Sequence, residues 1–263
     1  MQGRVPRAGE LMIESRPASE VDELMARFDE FRLVADGASR TIRDIGNNAV
    51  LARLKPTVFL HGSQAPIVLP GSEVIRMECA RILWGAVERG GLDVAIQGTG
   101  RCGYISARVA PPPIEVVVKA AHIGSPKHLY EGLHLVTTRH GGNILPGSRH
   151  DPYVRFDWRN PLPARDECLP TWLADQFIDV EAATDTALRC FGVLAAFLTG
   201  KGIELLDMCL FLTTDGKTIF GEISPDCIRF TLGDVEEAGR AAGPTDVSAK
   251  VARWEEFHHR IGR

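Results

Sequence analysis

The sequence predicts an α+β fold, and three observations support that prediction. Helical and strand-like segments interleave without a regular βαβ rhythm. An Asp215-Gly216 pair lies between two strand-like runs and indicates an antiparallel hairpin. A chain of 263 residues, 44% of them hydrophobic, is long enough to bury a core as one large domain or as two closely packed lobes.

Helical periodicity predicts four helices. The first begins at Ser19, which is able to cap it, and places Asp22 and Glu23 in the first turn. Its apolar residues recur at positions i, i+3, i+4 and i+7: Val21, Leu24, Met25 and Phe28. The other predicted helices are Ser72 to Arg89, which ends at two glycines, Asp179 to Thr199 and Asp246 to Phe257.

Short apolar or alternating runs, bounded by turn residues, predict the strands. The stretch from Gly141 to Pro170 is rich in Gly, Pro, Arg and Asp, so its length predicts a functional loop or, equally, a mobile surface excursion. The predicted strands are Ala49 to Leu54, Thr57 to Leu60, Asp93 to Ile96, Tyr104 to Ala110, Ile114 to Ala120, Ile203 to Leu212 and Thr218 to Ile223.

Composition and charge exclude several classes of function. A net charge of −4 gives no broad basic field, so we expect no nucleic-acid partner. No uninterrupted apolar window of about 18 residues occurs and the N-terminus has no apolar core, which predicts a cytoplasmic protein without a membrane span or signal peptide. The six cysteines form no C-x-x-C pair, so we expect them to be reduced and to bind no zinc.

One short segment contains several charged and polar side chains that could bind a ligand. Gly221-Glu-Ile-Ser-Pro-Asp-Cys-Ile-Arg-Phe230 holds two carboxylates, a hydroxyl and a guanidinium directly after a predicted strand. The segment resembles the E-I-S-P-D-x-x-R-L-W signature of SAICAR synthetases, which ligate aspartate to the carboxylate of an aminoimidazole ribonucleotide with ATP and magnesium. Generic motifs add nothing, because no Walker loop, G-x-G-x-x-G, G-x-S-x-G or H-E-x-x-H sequence is present.

A second segment strengthens the resemblance. Residues 113 to 125, Pro-Ile-Glu-Val-Val-Val-Lys-Ala-Ala-His-Ile-Gly-Ser, are similar without a gap to the family's P-L-E-V-V-V-R-N-x-A-A-G-S. Weaker matches occur at Asp36 to Ile42, Leu69 to Val74 and Tyr153 to Arg159, so the resemblance spans roughly residues 31 to 232. It implies two lobes with a nucleotide cleft between them and a homodimer. We expect an extension at 1–18, a degenerate ATP lobe at 19–110 and a substrate-binding lobe at 111–263.

The resemblance also implies which residues bind the substrate. Lys119, where the family has Arg, and Ser125 would hold the ribonucleotide end, with Lys127 and His128 beside them. Asp226 and Arg229 would contact the imidazole, and Arg159 lies in a matched segment. As catalytic residues we expect Glu222, Asp226 and His122; an imidazole titrates near neutrality and suits acid or base work, although a purely structural hydrogen bond is an equal alternative for His122.

The ATP and metal end of the family's pattern is depleted. Phe211 stands where the family has a metal-binding Glu and Gly221 where it has a carboxylate, and magnesium requires such oxygen ligands. Ala38 and Cys209 replace lysines, while phosphoryl transfer depends on charges that hold the phosphates. Gly37, Arg40 and Asp207 remain from that end, and we predict no metal and no cofactor. The alternative is a small misalignment, with Asp207, Asp215 or Lys217 as substitutes.

Three hypotheses follow from this pattern. The first is an enzyme that binds an aminoimidazole carboxamide ribonucleotide type of substrate and rearranges or cyclises it without ATP, resembling the homologues of coformycin and pentostatin pathways. The second is a divergent ligase that joins aspartate or another amino acid to an imidazole carboxylate with ATP and magnesium. The third is a catalytically silent nucleotide-binding protein. A nucleophilic role for Cys209 is an additional minor possibility, because a lone strand cysteine is more often a small buried hydrophobe.

Overall fold

The computed structural model describes residues 16–58, 66–124, 132–159, 167–233 and 246–263. These residues form helices and antiparallel sheets, which confirms the α+β prediction. The helices are α1 (Ala18–Ala26), α2 (Ser72–Arg89), α3 (Thr171–Ala174), α4 (Val180–Thr199) and α5 (Val247–Ile261).

The first half of the chain contributes a five-stranded antiparallel sheet. Its strand order is β1-β2-β3-β7-β6, so neighbouring strands are also mostly neighbours in sequence. A separate two-stranded ladder, β4 with β5, follows β3 and precedes α2 in the chain. The strands are β1 (Arg32–Asp36), β2 (Arg40–Gly46), β3 (Ala49–Leu54), β4 (Thr57–Val58), β5 (Ile67–Val68), β6 (Ile96–Thr99) and β7 (Gly103–Ala107).

The second half contributes a six-stranded antiparallel sheet around β8 and β11. Along the path β10-β9-β8-β11-β12 every pairing is antiparallel, and β13 pairs with β11 in addition. The strands are β8 (Ile114–Ala121), β9 (Arg149–Trp158), β10 (Glu167–Cys168), β11 (Glu204–Leu212), β12 (Ile219–Phe220) and β13 (Ile228–Thr231).

Helix α4 covers the apolar face of this second sheet. Its length and composition alone would suffice for a membrane span, but its residues Ala183, Ala187 and Leu194 are buried in the main core. The same core contains Val116 and Met208 from the sheet and residues from both halves of the chain, so α4 is the central core helix of this fold.

Most predicted elements match the structure, with two corrections. The strand predicted at Asp93 to Ile96 is displaced, because β6 begins only at Ile96 and runs to Thr99. The stretch from Gly141 to Pro170 is not a plain loop, because it contains β9, the longest strand of the second sheet, and β10. Charged side chains on β9 hide the apolar alternation on which the prediction relied. At the N-terminus, helix α1 starts at Ala18 after Pro17, and Ser19 lies inside its first turn rather than at the cap. Residues 1 to 15 lie outside the described residues, and the predicted domain boundaries stay predictions.

A buried ion pair joins α2 to the segment that follows β12. The guanidinium of Arg76 donates from Nε and Nη2 to the two carboxylate oxygens of Glu222, at 2.7 and 2.6 Å. Both side chains are at most 3% exposed. Arg76 Nη1 also donates to the carbonyls of Lys55 and Thr57, so one guanidinium holds together α2, the β3–β4 connection and the Glu222 loop.

Breaking this pair is expected to destabilise the fold strongly. Glu222→Gln leaves a guanidinium buried without its counter-charge, which costs on the order of 3–5 kcal/mol. The chain supplies a matched control, because Arg149 and Glu204 make the same two-bond contact at 2.6 and 2.7 Å on an exposed surface. Glu204→Gln should therefore cost about 1 kcal/mol or less. Urea unfolding of both variants checks this, and equal losses would contradict it.

Candidate functional site

The second sheet has one apolar and one polar face. Successive side chains of a strand point to opposite faces, and paired residues of antiparallel neighbours share a face. The register pairs Lys119 with Asp207 and Val117 with Cys209 on one side, and with Tyr153 and Arg155 on the other. This polar face therefore carries Glu115, Val117 and Lys119 of β8, Tyr153, Arg155 and Asp157 of β9, and Asp207, Cys209 and Phe211 of β11.

Asp207 is the centre of a buried charge cluster on this face. Its Oδ2 accepts from Lys119 Nζ at 3.1 Å and from Arg229 Nη1 at 2.6 Å. Asp207 and Lys119 are 1% and 2% exposed, and Lys119 Nζ also donates to the carbonyl of Ile123 at 2.7 Å. Burial lowers the pKa of Lys119, and Asp207 partly offsets this by stabilising its charge.

The two predicted substrate contacts in this cluster differ in access. Lys119 has its nitrogen committed to Asp207 and Ile123 and is nearly inaccessible, so the geometry gives it a positioning role. The side chain of Arg229 is 40% exposed while Asp207 fixes one of its nitrogens. A guanidinium has five N–H donors, so Arg229 is oriented and still able to bind a ligand. Asp207 lies with these residues rather than beside Arg40.

Asp226 is held by the C-terminal helix. Its Oδ1 accepts from Lys250 Nζ of α5 at 3.0 Å, and its backbone N–H donates to Ser224 Oγ at 3.2 Å. Both charged side chains are more than four-fifths covered. Sequence reasoning did not anticipate Lys250, since α5 lies beyond the segment that carries the resemblance.

Glu222 is ionised and committed to structure. Burial by itself would raise the pKa of this carboxyl, but Arg76, the Ser224 hydroxyl and the nearby Arg40 together hold the pKa below its ordinary value. Both of its oxygens are engaged by Arg76. Its predicted catalytic role stays a prediction, and its contacts indicate that it positions the loop.

An arginine and an aromatic ring lie where the SAICAR synthetase pattern has its metal-binding carboxylates, at positions 211 and 221. The guanidinium carbon of Arg40 lies 5.3 Å from the centroid of Phe211, and that of Arg159 lies 4.7 Å from the same centroid. Gly221 adopts φ +79°, and a Cβ there would lie 3.1 Å from Phe211 Cδ2 and 3.3 Å from Arg40 Nη1. The Phe211 and Gly221 positions are thus direct neighbours, and Arg40 fills the space beside them.

A hairpin turn places Arg40 at this point. Gly37 lies in the turn between β1 and β2, where its N–H donates to the carbonyl of Arg40 at 2.9 Å. The guanidinium of Arg40 donates to the hydroxyl of Tyr104 at 3.4 Å. Burial raises the pKa of Tyr104, so this phenol stays neutral at physiological pH.

These residues do not fit a magnesium site. The positions where the resemblance expects metal carboxylates carry a phenyl ring and a hydrogen, and the cation of Arg40 lies against both. Across the described parts of the chain, no group of three or more His, Cys, Asp or Glu side chains is arranged to hold a metal ion.

The remaining predicted residues are placed only in part. His122 follows β8 directly, and its backbone bonds to Ser148 and Gly147 tie it to the start of β9. Its acid or base role stays a prediction. Burial raises the pKa of the Cys209 thiol well above its ordinary value, which argues against a thiolate nucleophile. Ser125, Lys127 and His128 lie outside the described residues.

The fold has clear counterparts among solved structures. The phosphoribosylaminoimidazole-succinocarboxamide synthase from Ehrlichia chaffeensis aligns with a TM-score of 0.71 at 15% identity, over 88% of this chain and 98% of that one. A SAICAR synthetase solved in complex with ADP aligns with a TM-score of 0.70 at 21% identity and the same coverage. The chain has the SAICAR synthetase fold. The Saccharomyces cerevisiae enzyme complexed with SAICAR aligns at 0.63 and 14% identity, over 88% of this chain and 93% of that one.

Sequence comparison adds a second finding to the SAICAR synthetase fold. No family model matches the chain. A bifunctional cordycepin biosynthesis cluster protein 3 from Cordyceps militaris is 28% identical over 244 residues, covering 75% of this chain. The chain spans only 28% of the length of that relative. These matches confirm the resemblance to SAICAR synthetases and to a nucleoside-biosynthesis homologue.

Asp207 should matter more to stability than Lys119, although they form one ion pair. Lys119→Met leaves Asp207 paired with Arg229, whereas Asp207→Asn strands a buried ammonium and frees Arg229. We expect Asp207→Asn to lose roughly 3–5 kcal/mol and Lys119→Met clearly less. Urea unfolding of both variants and of the double variant measures the coupling. A larger loss for Lys119→Met would contradict the central role of Asp207.

Acid should weaken the Glu222 contact in a defined direction. The folded pKa of Glu222 lies below its unfolded value near 4.5, so the stability it contributes is complete above that pH. This stability is lost as the pH falls through the folded pKa. Thermal unfolding between neutral pH and pH 3 should therefore show a steeper decline for the wild type than for Glu222→Gln. Parallel declines would show that Glu222 is not ionised in the fold.

Proposed function

We propose that this chain is an enzyme that binds an aminoimidazole carboxamide ribonucleotide type of substrate and rearranges or cyclises it without ATP. One observation carries the proposal: the guanidinium of Arg40 lies against Phe211 and Gly221, where the SAICAR synthetase pattern has carboxylates for magnesium. A fixed cation at this place repels the metal that a kinase-like ATP site needs. The substrate end of the same sheet face keeps its charged groups.

The residues of the kept end suit an imidazole ribonucleotide. Arg229 presents free N–H donors from an orientation that Asp207 fixes, and such donors match a carboxamide or carboxylate oxygen. Asp226 offers an acceptor for a ring amino group or N–H while Lys250 stabilises its charge. Ser125, Lys127 and His128 follow β8 and would receive the ribose phosphate, with His122 as the candidate acid or base.

The biological setting proposed is the synthesis of a purine-derived nucleoside of the coformycin or pentostatin kind. The name of the Cordyceps militaris relative supports a setting in nucleoside biosynthesis. In this proposal the protein acts in the cytoplasm as a homodimer on a small-molecule substrate, without nucleic acid, membrane, ATP or magnesium. The chain spans only 28% of the length of that relative, which is named as bifunctional, so the proposal does not extend to the relative's whole function.

Two other functions have an observation in their favour. A divergent ATP- and magnesium-dependent ligase for aspartate or another amino acid is favoured by the fold, since one structural neighbour was solved with ADP. A catalytically silent nucleotide-binding protein is favoured by the Lys250–Asp226 contact, which occupies a carboxylate oxygen that a catalyst would use.

A substrate screen separates the three functions. We expect mass spectrometry to detect conversion of an aminoimidazole carboxamide ribonucleotide without ATP, and calorimetry to detect no tight binding of magnesium-ATP. Aspartate-dependent release of ADP would overturn the proposal in favour of the ligase. Binding of the ribonucleotide without any conversion would leave the silent protein.

Substitutions at the kept end test the site assignment. Arg229→Met and Asp226→Asn should each weaken ribonucleotide binding or turnover by at least about tenfold, because each removes a charge-assisted hydrogen bond. Arg189 and Asp185 supply exposed controls of the same residue types, and Arg189→Met and Asp185→Asn should change neither quantity. Comparable losses in the controls would refute the assignment.

A further inference from the structure

Two arginines lie at the Phe211 end of the polar face without an ion-pair contact among the described residues: Arg40 from β2 of the first sheet and Arg159, which directly follows β9. Lys119 and Arg229 pair with Asp207, Arg155 pairs with Asp157, and Arg76 pairs with Glu222. Across the described residues, neither Arg40 nor Arg159 has a carboxylate within 4.0 Å. Both instead lie against the ring of Phe211, at 5.3 and 4.7 Å.

The same chain contains a second cluster of two arginines on one phenylalanine ring, and in that cluster a carboxylate pairs with both arginines. Arg43 and Arg53 lie against the ring of Phe28, at 5.3 and 4.1 Å from its centroid. There the carboxylate of Asp29 accepts from both guanidiniums, at 3.1 and 3.3 Å. Two arginines on one phenylalanine ring therefore bind a single oxyanion between them in this protein. In the Arg40–Phe211–Arg159 cluster, the described residues supply no such oxyanion.

We propose that Arg40 and Arg159 bind a phosphate group of a small ligand directly, without a metal ion. Two guanidiniums supply planar pairs of N–H donors that match phosphate oxygens. The stacking on Phe211 orients both groups without consuming those donors. The β1–β2 hairpin and the partly covered setting of Arg40 limit the freedom that binding would otherwise remove.

This phosphate site is separate from the groups assigned to the imidazole. Phe211 lies four residues beyond Asp207 on β11, which corresponds to about 13 Å along an extended strand. The Arg40–Phe211–Arg159 cluster and Arg229 therefore mark two ends of one polar face. A ligand that reached both ends would carry an anionic group at each, and inorganic phosphate alone should bind at the Arg40 end. The inference goes beyond the proposed function and does not require the proposed substrate.

Calorimetric titration of the full chain with inorganic phosphate tests the site. We expect saturable binding in the presence of EDTA that added magnesium does not strengthen. Arg40→Met and Arg159→Met should each weaken it at least about tenfold. Phe211→Glu should abolish it, because the new carboxylate would occupy both guanidiniums as Asp29 does in the other cluster. Phe211→Leu keeps the charges and should weaken binding less than Phe211→Glu.

The second cluster supplies the matched control. The Arg43→Met and Arg53→Met double variant removes two arginines from the same sheet as Arg40, yet phosphate binding should remain at the wild-type level. Thermal unfolding of each variant shows whether it is folded, and Arg40→Lys, which keeps the charge, serves if Arg40→Met does not fold. It should retain part of the affinity, since a lysine lacks the guanidinium fork.

Several outcomes would overturn the inference. Phosphate binding that required magnesium, or that survived Arg159→Met and Arg40→Met, would place the site elsewhere. Binding of succinate in preference to phosphate would reassign the cluster to a carboxylate ligand. If phosphate binds but no ribonucleotide is converted in the screen, the proposed function alone is refuted. If phosphate does not bind, and Arg40→Met and Arg159→Met leave ribonucleotide turnover unchanged, this inference alone is refuted.

Discussion

The bidentate contact between Arg76 and Glu222 is the interaction on which the candidate site depends. A buried ion pair is stable only when its partners are well hydrogen-bonded, and here Arg76 Nη1 donates to the carbonyls of Lys55 and Thr57 in addition to the two bonds with Glu222. The contact fixes where the loop after β12 starts. From that fixed point, Gly221 turns with positive φ beside Arg40, while Asp226 and Arg229 follow on the other side of Glu222. One pair thereby sets the positions of both ends of the polar face.

The pairing of charges on that face explains why its two ends differ. At the Asp207 end each buried charge has a counter-charge, so the cluster is a stable scaffold and leaves only the exposed part of Arg229 for a ligand. At the Phe211 end two arginines face a ring that cannot neutralise them. Cation–π contacts are worth about 0.5–2 kcal/mol and orient a guanidinium, but they do not satisfy its N–H donors. This end therefore carries two positive charges that make no ion pair among the described residues, which is the arrangement that the proposed phosphate site requires.

Much of the fold was predictable from sequence because periodicity and turn residues reflect local physics. The bounds of α2 were predicted at Ser72 and Arg89, and the Asp215-Gly216 hairpin joins β11 to β12 as expected. Strand β9 was missed because its inward side chains, among them Arg155 and Asp157, are charged, and they are buried as an ion pair formed between neighbouring positions on the same face of the strand. Periodicity cannot reveal a charge that is buried through a partner.

The site was predictable where the resemblance is dense and unpredictable where a partner comes from a distant segment. Arg76 falls on the buried stripe of α2 with Cys79, Ala80 and Leu83, and a charge on such a stripe is a signal for a buried counter-charge. Lys250 gave no such signal, since only the folded chain brings α5 to Asp226.

Retention of the signature segment has a structural as well as a chemical cause. Glu222 and Ser224 are buried and bonded, so they would be kept for folding even in a protein without activity. Asp226 and Arg229 are different, because each is held by one partner and keeps further hydrogen-bonding capacity. In the proposed site, the capacity of the segment to bind a ligand therefore resides in these two residues, and Phe211 and Gly221 lie at a separate end of the face. The fold accommodates a cation and a ring at these positions, because Arg40 packs beside Phe211 and Gly221, where the SAICAR synthetase pattern has carboxylates.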